Sequence, residues 1–168
     1  MATLTEDDTA AVTLTTSTVV VDENGGTVLV GVDLETEPTA DVVISFVSAV
    51  TGEATVSGSP MTFTSGRYSD VQSLTITGVD DSVALASDPS VSITGTATST
   101  DGQYNDAAVA TIVATLTEDD TAAVTLTTST VVVDENGGAV LGGVGLETAP
   151  DADVVISFLS AGTGEVNV

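Results

Sequence analysis

One long stretch of this chain occurs twice without a single change, so the chain is built from repeats. The sequence ATLTEDDTAAVTLTTSTVVVDENGG fills Ala2–Gly26 and returns as Ala114–Gly138. Residues 27–56 then match residues 139–168 without insertion and with nine substitutions, which sets the period at 112 residues. Solenoid units of about 20 to 50 residues cannot bury a face alone, whereas a β-sandwich domain has about 100 residues. The repeat therefore predicts tandem domains.

Within one repeat, apolar and polar residues alternate in short runs that are separated by turn residues. We expect the first strand to run from Val12 through Val21 and to stop at the turn Asp22–Gly26. The fourth strand combines residues 54–56 with residues 61–63, and the seventh covers residues 108–116. The inward residues predicted for the second, third, fifth and sixth strands are Val28, Val30, Val32, Leu34, Val42, Ile44, Phe46, Leu74, Ile76, Val91 and Ile93.

These runs predict an all-β fold: a seven-stranded antiparallel immunoglobulin-like sandwich in tandem. Residues 1–8 would end a preceding repeat, residues 9–120 would form a complete repeat, and residues 121–168 would supply the first three strands of the next one. Three strands with an unpaired edge should not fold alone. Either the chain is part of a longer array, which we favour, or another chain completes this part.

The charge of the chain is very one-sided. One Arg, no Lys and no His stand against 25 acidic residues, so the formal net charge is -24. Such a surface repels nucleic acid and anionic membranes and attracts cations. Acidity that only keeps the protein soluble is an equally acceptable explanation at this point. The absence of Cys excludes disulfides and zinc–thiolate sites.

Strand parity predicts where the acidic residues meet. If seven strands run alternately up and down, the loops after the first, third and fifth strands and the end of the seventh lie at one pole. Those segments are the acidic ones, and the single basic residue, Arg67, falls at the opposite pole. The candidate metal ligands are Glu23, Glu53, Asp80, Asp81, Asp88, Glu118, Asp119 and Asp120.

Many carboxylates at one pole raise one another's pKa values and repel unless a counter-charge is present. Ca²⁺ accepts six to eight oxygen ligands from flexible loops and fits this set better than octahedral Mg²⁺. The alternative is a solvated acidic surface without metal. No EF-hand loop is present in the sequence.

At these residues the repeat resembles a Calx-β domain, and more closely the tandem Calx-β-like or immunoglobulin-like extender repeats of giant RTX-type bacterial adhesins. The resemblance is carried by VVVDENGGTVLVGVDLET, ADVVISFVSAVTGEATV, QSLTITGVDDSVALASD, SITGTATSTDGQYN and TLTEDDTA. It implies a seven-stranded sandwich that holds calcium at its tip, with the eight acidic residues named above as the matching positions.

The chain departs from that family pattern at several points. Ser82 stands where a third acid of the fifth-strand loop is common, residues 83–87 are uncharged, and the closing triplet begins with Glu118. In the second repeat only Glu135 and Glu165 are present. The N-terminal Glu6, Asp7 and Asp8 likewise match the end of a repeat. These departures affect the number of ions and leave their location unchanged.

Near-identical tandem copies suit a stalk, so we expect a calcium-stabilised structural extender of a large secreted surface adhesin, located outside the cell. Its partners would be neighbouring repeats, calcium and other copies joined through the incomplete C-terminal part. A Calx-β-type regulatory calcium sensor and a filament or surface-layer subunit completed by strand exchange are the alternatives. An enzyme is not expected, because His, Cys and Lys are all absent.

Overall fold

The computed structural model describes residues 8–85, 87–134 and 136–161. The described part of the chain is all-β, with 40% of its residues in strands and 2% in helix. It divides into two compact units. Of the described residues, unit 1 contains 8–81 and 87–119. Unit 2 contains Ser82–Leu85 together with residues 120–134 and 136–161. Ser82–Leu85 lie inside the predicted repeat 9–120 and nevertheless group with unit 2. No helix in the described part of the chain is long and apolar enough to cross a membrane.

Unit 1 is built from two sheets. The strands are β1 (Val12–Leu14), β2 (Thr18–Asp22), β3 (Thr27–Leu34), β4 (Val42–Ser48), β5 (Ala54–Ser57), β6 (Met61–Phe63), β7 (Gln72–Gly78), β8 (Ser90–Ser99) and β9 (Ile112–Thr117). A four-stranded sheet has the order β1-β3-β7-β5, and a five-stranded sheet has the order β2-β9-β8-β4-β6. A short 3-10 helix, Ser65–Arg67, follows β6.

The two sheets of unit 1 share one apolar core, as in a β-sandwich. Alternate residues point inward, so that β4, for example, buries Val42, Ile44 and Phe46. The predicted inward residues of β3, β7 and β8 are also buried, apart from Val28, which is partly buried at the start of β3. The alternation of apolar and polar residues therefore predicted the core of unit 1 correctly.

The prediction of one continuous first strand was wrong. Val12–Leu14 and Thr18–Asp22 are separate strands in different sheets, where β1 pairs with β3 and β2 pairs with β9. The sequence contains the reason: the apolar positions change from even numbers at Val12 and Leu14 to odd numbers at Val19 and Val21. A single strand cannot bury both sets on one face, because its side chains alternate with a period of two.

The predicted fourth strand is also two strands. β5 pairs with β7 in one sheet, and β6 pairs with β4 in the other. Gly58, with φ +83°, lies between them in a conformation that L side chains rarely adopt. The predicted antiparallel pairing fails between β2 and β9 of unit 1, which pair in parallel, and the five-stranded sheet is therefore mixed.

Unit 2 reproduces the start of the sandwich in the same register. Its two strands, β10 (Val124–Leu126) and β11 (Val144–Leu146), pair antiparallel with Val124 opposite Leu146. Shifted by one repeat, this pair corresponds to Val12 opposite Leu34 in unit 1. Val83 adds an isolated parallel bridge to Ala149. The described residues at 130–134 and 154–160, which correspond to β2 and β4, are not in strands.

The end of unit 1 where β3 stops is fixed by a buried tyrosine and a buried aspartate. The Tyr104 hydroxyl donates to Thr36 O at 2.7 Å and accepts from Thr36 N at 3.1 Å. Asp101 accepts from Thr39 N at 2.7 Å and from Gln103 N at 2.9 Å, and these backbone donors hold its pKa below the ordinary value of 3.8. Both side chains join the β8–β9 loop to the β3–β4 loop. No local pattern in the sequence marks Tyr104 for this role.

Replacing Tyr104 by Phe should therefore destabilise unit 1. The change leaves the Thr36 N–H and C=O in a partly buried place without the hydroxyl, which should lower the free energy of unfolding by about 1 to 3 kcal/mol. Urea unfolding followed by circular dichroism measures the loss. Tyr68→Phe is the control, since Tyr68 is half-buried against the same core and no hydrogen bond of its hydroxyl is found among the described residues. Equal losses of unfolding free energy in Tyr104→Phe and Tyr68→Phe would contradict a stabilising role of the Tyr104 hydroxyl.

Candidate metal site

The parallel pairing of β2 with β9 creates the site. Asp22 lies opposite Thr117 as the last pair of these two strands, so both strands end at the same place. Glu23 follows directly, and its backbone N–H donates to Thr117 O at 3.3 Å. Glu118 and the two residues after it follow on the other strand. Residues far apart in the sequence thereby come to lie side by side.

Three carboxylates converge at this point. Glu23, Asp119 and Asp120 each offer one oxygen, and these oxygens all lie within 4.8 Å of one another. Glu23 is buried, with 3% of its surface exposed, Asp120 is half-buried and Asp119 is exposed. Glu118 Oε2 and Asp120 Oδ2 are also buried oxygen atoms. The group therefore has a buried centre and one exposed side.

Hydrogen bonds hold the carboxylates in position. Asp119 N donates to Glu23 Oε1 at 3.4 Å, and the Asn24 side-chain amide donates to Asp119 Oδ2 at 2.8 Å. On the other side, Glu118 N donates to Asp88 Oδ1 at 3.3 Å. Asp22 points away and caps its own turn by accepting from Asn24 N at 3.0 Å, as expected from strand alternation.

Glu23 titrates abnormally. Burial raises the pKa of its carboxyl from 4.5 to about 7. The hydrogen bond from the Asp119 backbone opposes this shift, while the negative charge of Glu118 adds to it. At neutral pH Glu23 is therefore close to half protonated when no cation is present, which is the behaviour of an acid that lacks a counter-charge.

The remaining predicted ligands lie in loops that hydrogen bonds connect to this group. Glu53 O accepts from Val79 N at 2.8 Å, and Gly26 O accepts from Gly78 N at 3.0 Å. These bonds join the loop after β4 to the end of β7, and the end of β7 to the turn after β2. Asp80, Asp81 and Asp88 are exposed and Glu53 is half-buried. None of these four belongs to the group of three, so their role as ligands stays a prediction.

Two functional positions were missed from the sequence. Asn24 was interpreted only as part of a turn, yet its amide orients Asp119. Gly78 was not singled out from the sequence, yet a Cβ at Gly78 would clash with Asp22 O and would lie 2.8 Å from Glu23 Cα. The backbone of β7 therefore packs directly against the residues that carry the buried acid. The Asn-Gly pair signalled a turn, but no pattern in the sequence reports these contacts.

The turn that carries Glu23 is repeated in unit 2. Asn136 N donates to Asp134 Oδ1 at 2.9 Å, as Asn24 N does to Asp22, and this bond lowers the pKa of Asp134. Gly25 and Gly137 both have positive φ, at +74° and +101°. The predicted acids Glu135, Glu165, Glu6 and Asp7 lie outside the described residues, and Asp8 is exposed.

The comparisons with known proteins identify no family. No family model matches the chain, and no curated protein matches it. Among solved structures, WR4, a C. elegans MSP family member, is similar over 65% of this chain and 98% of its own, with 11% sequence identity and a TM-score of 0.46. A likeness of this degree carries no conclusion about the site.

Glu23→Gln should stabilise the protein in a chelator near neutral pH. The folded-state pKa of Glu23, about 7, lies above the ordinary 4.5. The wild-type protein therefore keeps its full stability below pH 4.5, and it loses stability as the pH rises to 7 because Glu23 must ionise in a buried place. Gln keeps an acceptor for Asp119 N without the charge. The difference in unfolding midpoint between variant and wild type should grow from pH 4.5 to pH 7 and then level off. Glu37→Gln, at an exposed loop position, should show no such growth.

Gly78→Ala should disrupt the site and destabilise unit 1. The atoms that its Cβ would meet are backbone atoms of Asp22 and Glu23, which cannot move aside as a side chain can. Gly66→Ala is the matched control, because nothing lies within 4 Å of its Cβ, and it should be neutral or slightly stabilising. Thermal unfolding compares the two variants. A Gly78→Ala variant as stable as Gly66→Ala would contradict the close packing.

Proposed function

We propose that the chain is a calcium-stabilised structural extender repeat of a large secreted bacterial surface adhesin, and that each complete repeat is an immunoglobulin-like sandwich of the Calx-β type, in which two of the seven predicted strands are each divided between the sheets. The observation that carries the proposal is the acidic group formed by Glu23, Asp119 and Asp120 at the point where the chain leaves one repeat. The 112-residue period and the resemblance of the repeat to extender domains support it.

The donor set fits Ca²⁺. Calcium–oxygen distances of 2.3 to 2.6 Å place two ligands of one ion at most about 5 Å apart, and the three carboxylate oxygens lie within 4.8 Å. Glu23 is buried and pre-positioned by Asp119 N, which lowers the cost of ordering it on binding. Glu53, Asp80, Asp81 and Asp88, on the loops linked to this group, would complete a coordination of six to eight oxygens.

A bound calcium ion would offset the cost of ionising the buried Glu23 and would stabilise the folded state. Without a cation, burial disfavours the ionised form of Glu23 and neighbouring charges add to the cost. A bound cation favours that form and restricts the segment Glu118–Asp120, on which the chain leaves the sandwich. Occupied repeats would then act as stiff spacers. Extracellular calcium modules work at dissociation constants of about 10⁻⁴ to 10⁻³ M, which suits a site of this size outside the cell.

A structural role also fits the side chains that the chain lacks. No His, Cys or Lys is present to act as a base or nucleophile at neutral pH. The repeats are nearly identical, which a stalk tolerates because every repeat performs the same task. We therefore propose no catalytic residue.

Calcium should raise the unfolding temperature of the full chain, and Mg²⁺ at the same concentration should not. At about 100 times the dissociation constant, binding to the folded state alone adds about 2.7 kcal/mol, which corresponds to roughly 10 °C or more for a domain of this size. Glu23→Gln should remove most of this rise, while Glu37→Gln, which makes the same chemical change in an exposed loop, should keep it. Differential scanning calorimetry in calcium and in excess chelator measures the effect.

A midpoint that calcium leaves unchanged would overturn the calcium part of the proposal. Small-angle scattering then tests the extender part separately. A maximum dimension that grows in calcium in the wild type and does not grow in Glu23→Gln is the expected result. A wild-type dimension that calcium does not change would contradict ion-dependent stiffening.

A further inference from the structure

Asn24 and Gly25 form an exposed step in the turn between β2 and β3. Both residues are exposed to solvent. Gly25 has a φ of +74°, and nothing lies within 4 Å of the position that a Cβ would take there. Gly26 is crowded by contrast, since a Cβ at Gly26 would lie 2.7 Å from Asp22 Cβ. The backbone that follows Asn24 is therefore open to a reaction with the Asn24 side chain.

An Asn residue that Gly follows is chemically labile, because no Cβ on the next residue hinders attack on the side-chain carbonyl. At this step the bond between Gly25 N and Asn24 Cγ forms and the bond between Cγ and Nδ2 breaks. The amide leaves as ammonia and takes up the proton that Gly25 N loses. Water then opens the succinimide ring at one of its two carbonyl carbons, and the ring nitrogen regains a proton. The product is Asp or its isomer isoaspartate.

Closing this ring requires only local movement. Gly25 N donates to Glu23 O at 2.6 Å, and the Asn24 amide donates to Asp119 Oδ2 at 2.8 Å, and both bonds must open. The bond to Asp119 is exposed, so water can replace Asp119 as the acceptor. The atoms that react belong to adjacent residues, so no strand of the sandwich has to separate.

We propose that Asn24 is a site of spontaneous deamidation, and that the reaction adds a fourth carboxylate to the group of Glu23, Asp119 and Asp120. The Asn24 amide lies 2.8 Å from Asp119 Oδ2, so the product places a carboxylate oxygen beside that oxygen. A hydrogen bond is thereby replaced by repulsion between like charges. Each event also adds one negative charge to a chain whose formal charge is already -24.

Asn105 provides a matched comparison within unit 1. It is exposed in the β8–β9 loop, and its amide also donates to a carboxylate, Asp106 Oδ2, at 2.9 Å. The residue that follows it, Asp106, carries a side chain and has a φ of +59°. Asn24 and Asn105 thus share exposure and a carboxylate partner, and they differ in the residue that follows.

Peptide mass spectrometry follows the reaction in the full chain, incubated in chelator so that the result does not depend on the calcium proposal. The fraction of residue 24 in which OH has replaced NH2 should increase with time, and faster at higher pH, because Gly25 N must lose its proton. Residue 105 should stay Asn in the same samples. Peptides that contain Thr27 are distinguished from those of the second repeat, which contain Ala139.

The chain unfolded in urea gives the reference rate for the same step. The folded chain should react more slowly at residue 24 by about ten- to a hundredfold, because two hydrogen bonds must open first. Asn24→Gln keeps an amide, and its mass at residue 24 should stay constant because the longer side chain would have to close a six-membered ring.

Asn24→Asp supplies the product side chain in every molecule. In chelator its unfolding midpoint should be lower than that of wild type, because the new charge lies beside Asp119 and the rest of the acidic group. Asn105→Asp makes the same change beside Asp106 and should lower the midpoint less.

The added carboxylate also offers a further oxygen to calcium, and this step rests on the proposed function. Asn24→Asp should therefore need less calcium than wild type to reach half of the rise in midpoint. A wild-type midpoint that calcium does not change overturns the calcium function and leaves the mass result in chelator intact. A rise in wild type with no lower calcium requirement in Asn24→Asp overturns the role of the added carboxylate alone.

Three results would overturn the modification site itself. Residue 24 that stays Asn in the folded chain, while the unfolded chain reacts, shows that the fold protects it. Equal reaction at residues 24 and 105 shows that Gly25 does not select the site. Equal losses of midpoint in Asn24→Asp and Asn105→Asp show a general effect of charge rather than a contact with the acidic group.

Discussion

The parallel pairing of β2 with β9 is the interaction on which the candidate site depends. It joins the second strand of unit 1 to the last strand, and its register ends with Asp22 opposite Thr117. Because the two strands run in the same direction, the residues after both emerge at one end, and Glu23 meets Asp119 and Asp120. An antiparallel pair would place Glu23 beside the beginning of β9, where the neighbouring residues are uncharged. Among the described strands of unit 1, the parallel pair β2–β9 is therefore the feature that assembles the acidic group.

This assembly has an electrostatic cost that the chain does not relieve with its own cations. The single basic side chain, Arg67, pairs with Asp70 at 2.8 Å in the β6–β7 connection. Glu23 instead receives a backbone hydrogen bond from Asp119 and shifts its pKa to about 7. A buried acid is tolerated when it is neutralised or paired, and among the described residues this hydrogen bond and partial protonation reduce the cost of burying Glu23. The tight approach of Gly78 keeps the acid in this environment, because a larger residue would separate β7 from the turn.

The sequence predicted those features that local pattern determines. Alternation gave the inward faces of β3, β4, β7 and β8, and the Asn-Gly pair gave the turn with positive φ at Gly25. Strand parity also selected the acidic loops that hydrogen bonds now connect. Parity succeeded although two of the seven predicted strands are each divided between the sheets. Each division moves the chain from one sheet to the other but does not reverse its direction, so the later loops stay at the same end.

Features that depend on contacts distant in sequence could not be predicted. The parallel partner of β2 lies about 95 residues away, and alternation within a strand contains no information about the identity or direction of its neighbour. The Tyr104 hydroxyl bonds to Thr36, 68 residues earlier, and no local signal marks that partner. The same limit applies to Asn24 and Gly78, whose roles come from the strands packed against them.

A comparison of the two units distinguishes strand pairs between segments close in sequence from strand pairs between distant segments. β10 and β11 adopt the register of β1 and β3, although Val30 and Asp33 of β3 are replaced by Gly142 and Gly145. That pairing joins segments about 20 residues apart. β2 pairs with β9, about 95 residues later, and β4 pairs with β6 and β8, about 20 and 50 residues later. The described equivalents of β2 and β4 in unit 2 are not in strands. Identical repeats make every such strand a good fit for the wrong repeat as well as the right one, which is the condition under which neighbouring domains exchange strands. The high negative charge opposes that exchange between copies, because each unwanted contact brings two strongly acidic surfaces together. The near-identical repeats do not prevent strand exchange by their sequence, but electrostatic repulsion between acidic copies opposes it. A specific contact between two copies must therefore stabilise the pair by more than this repulsion.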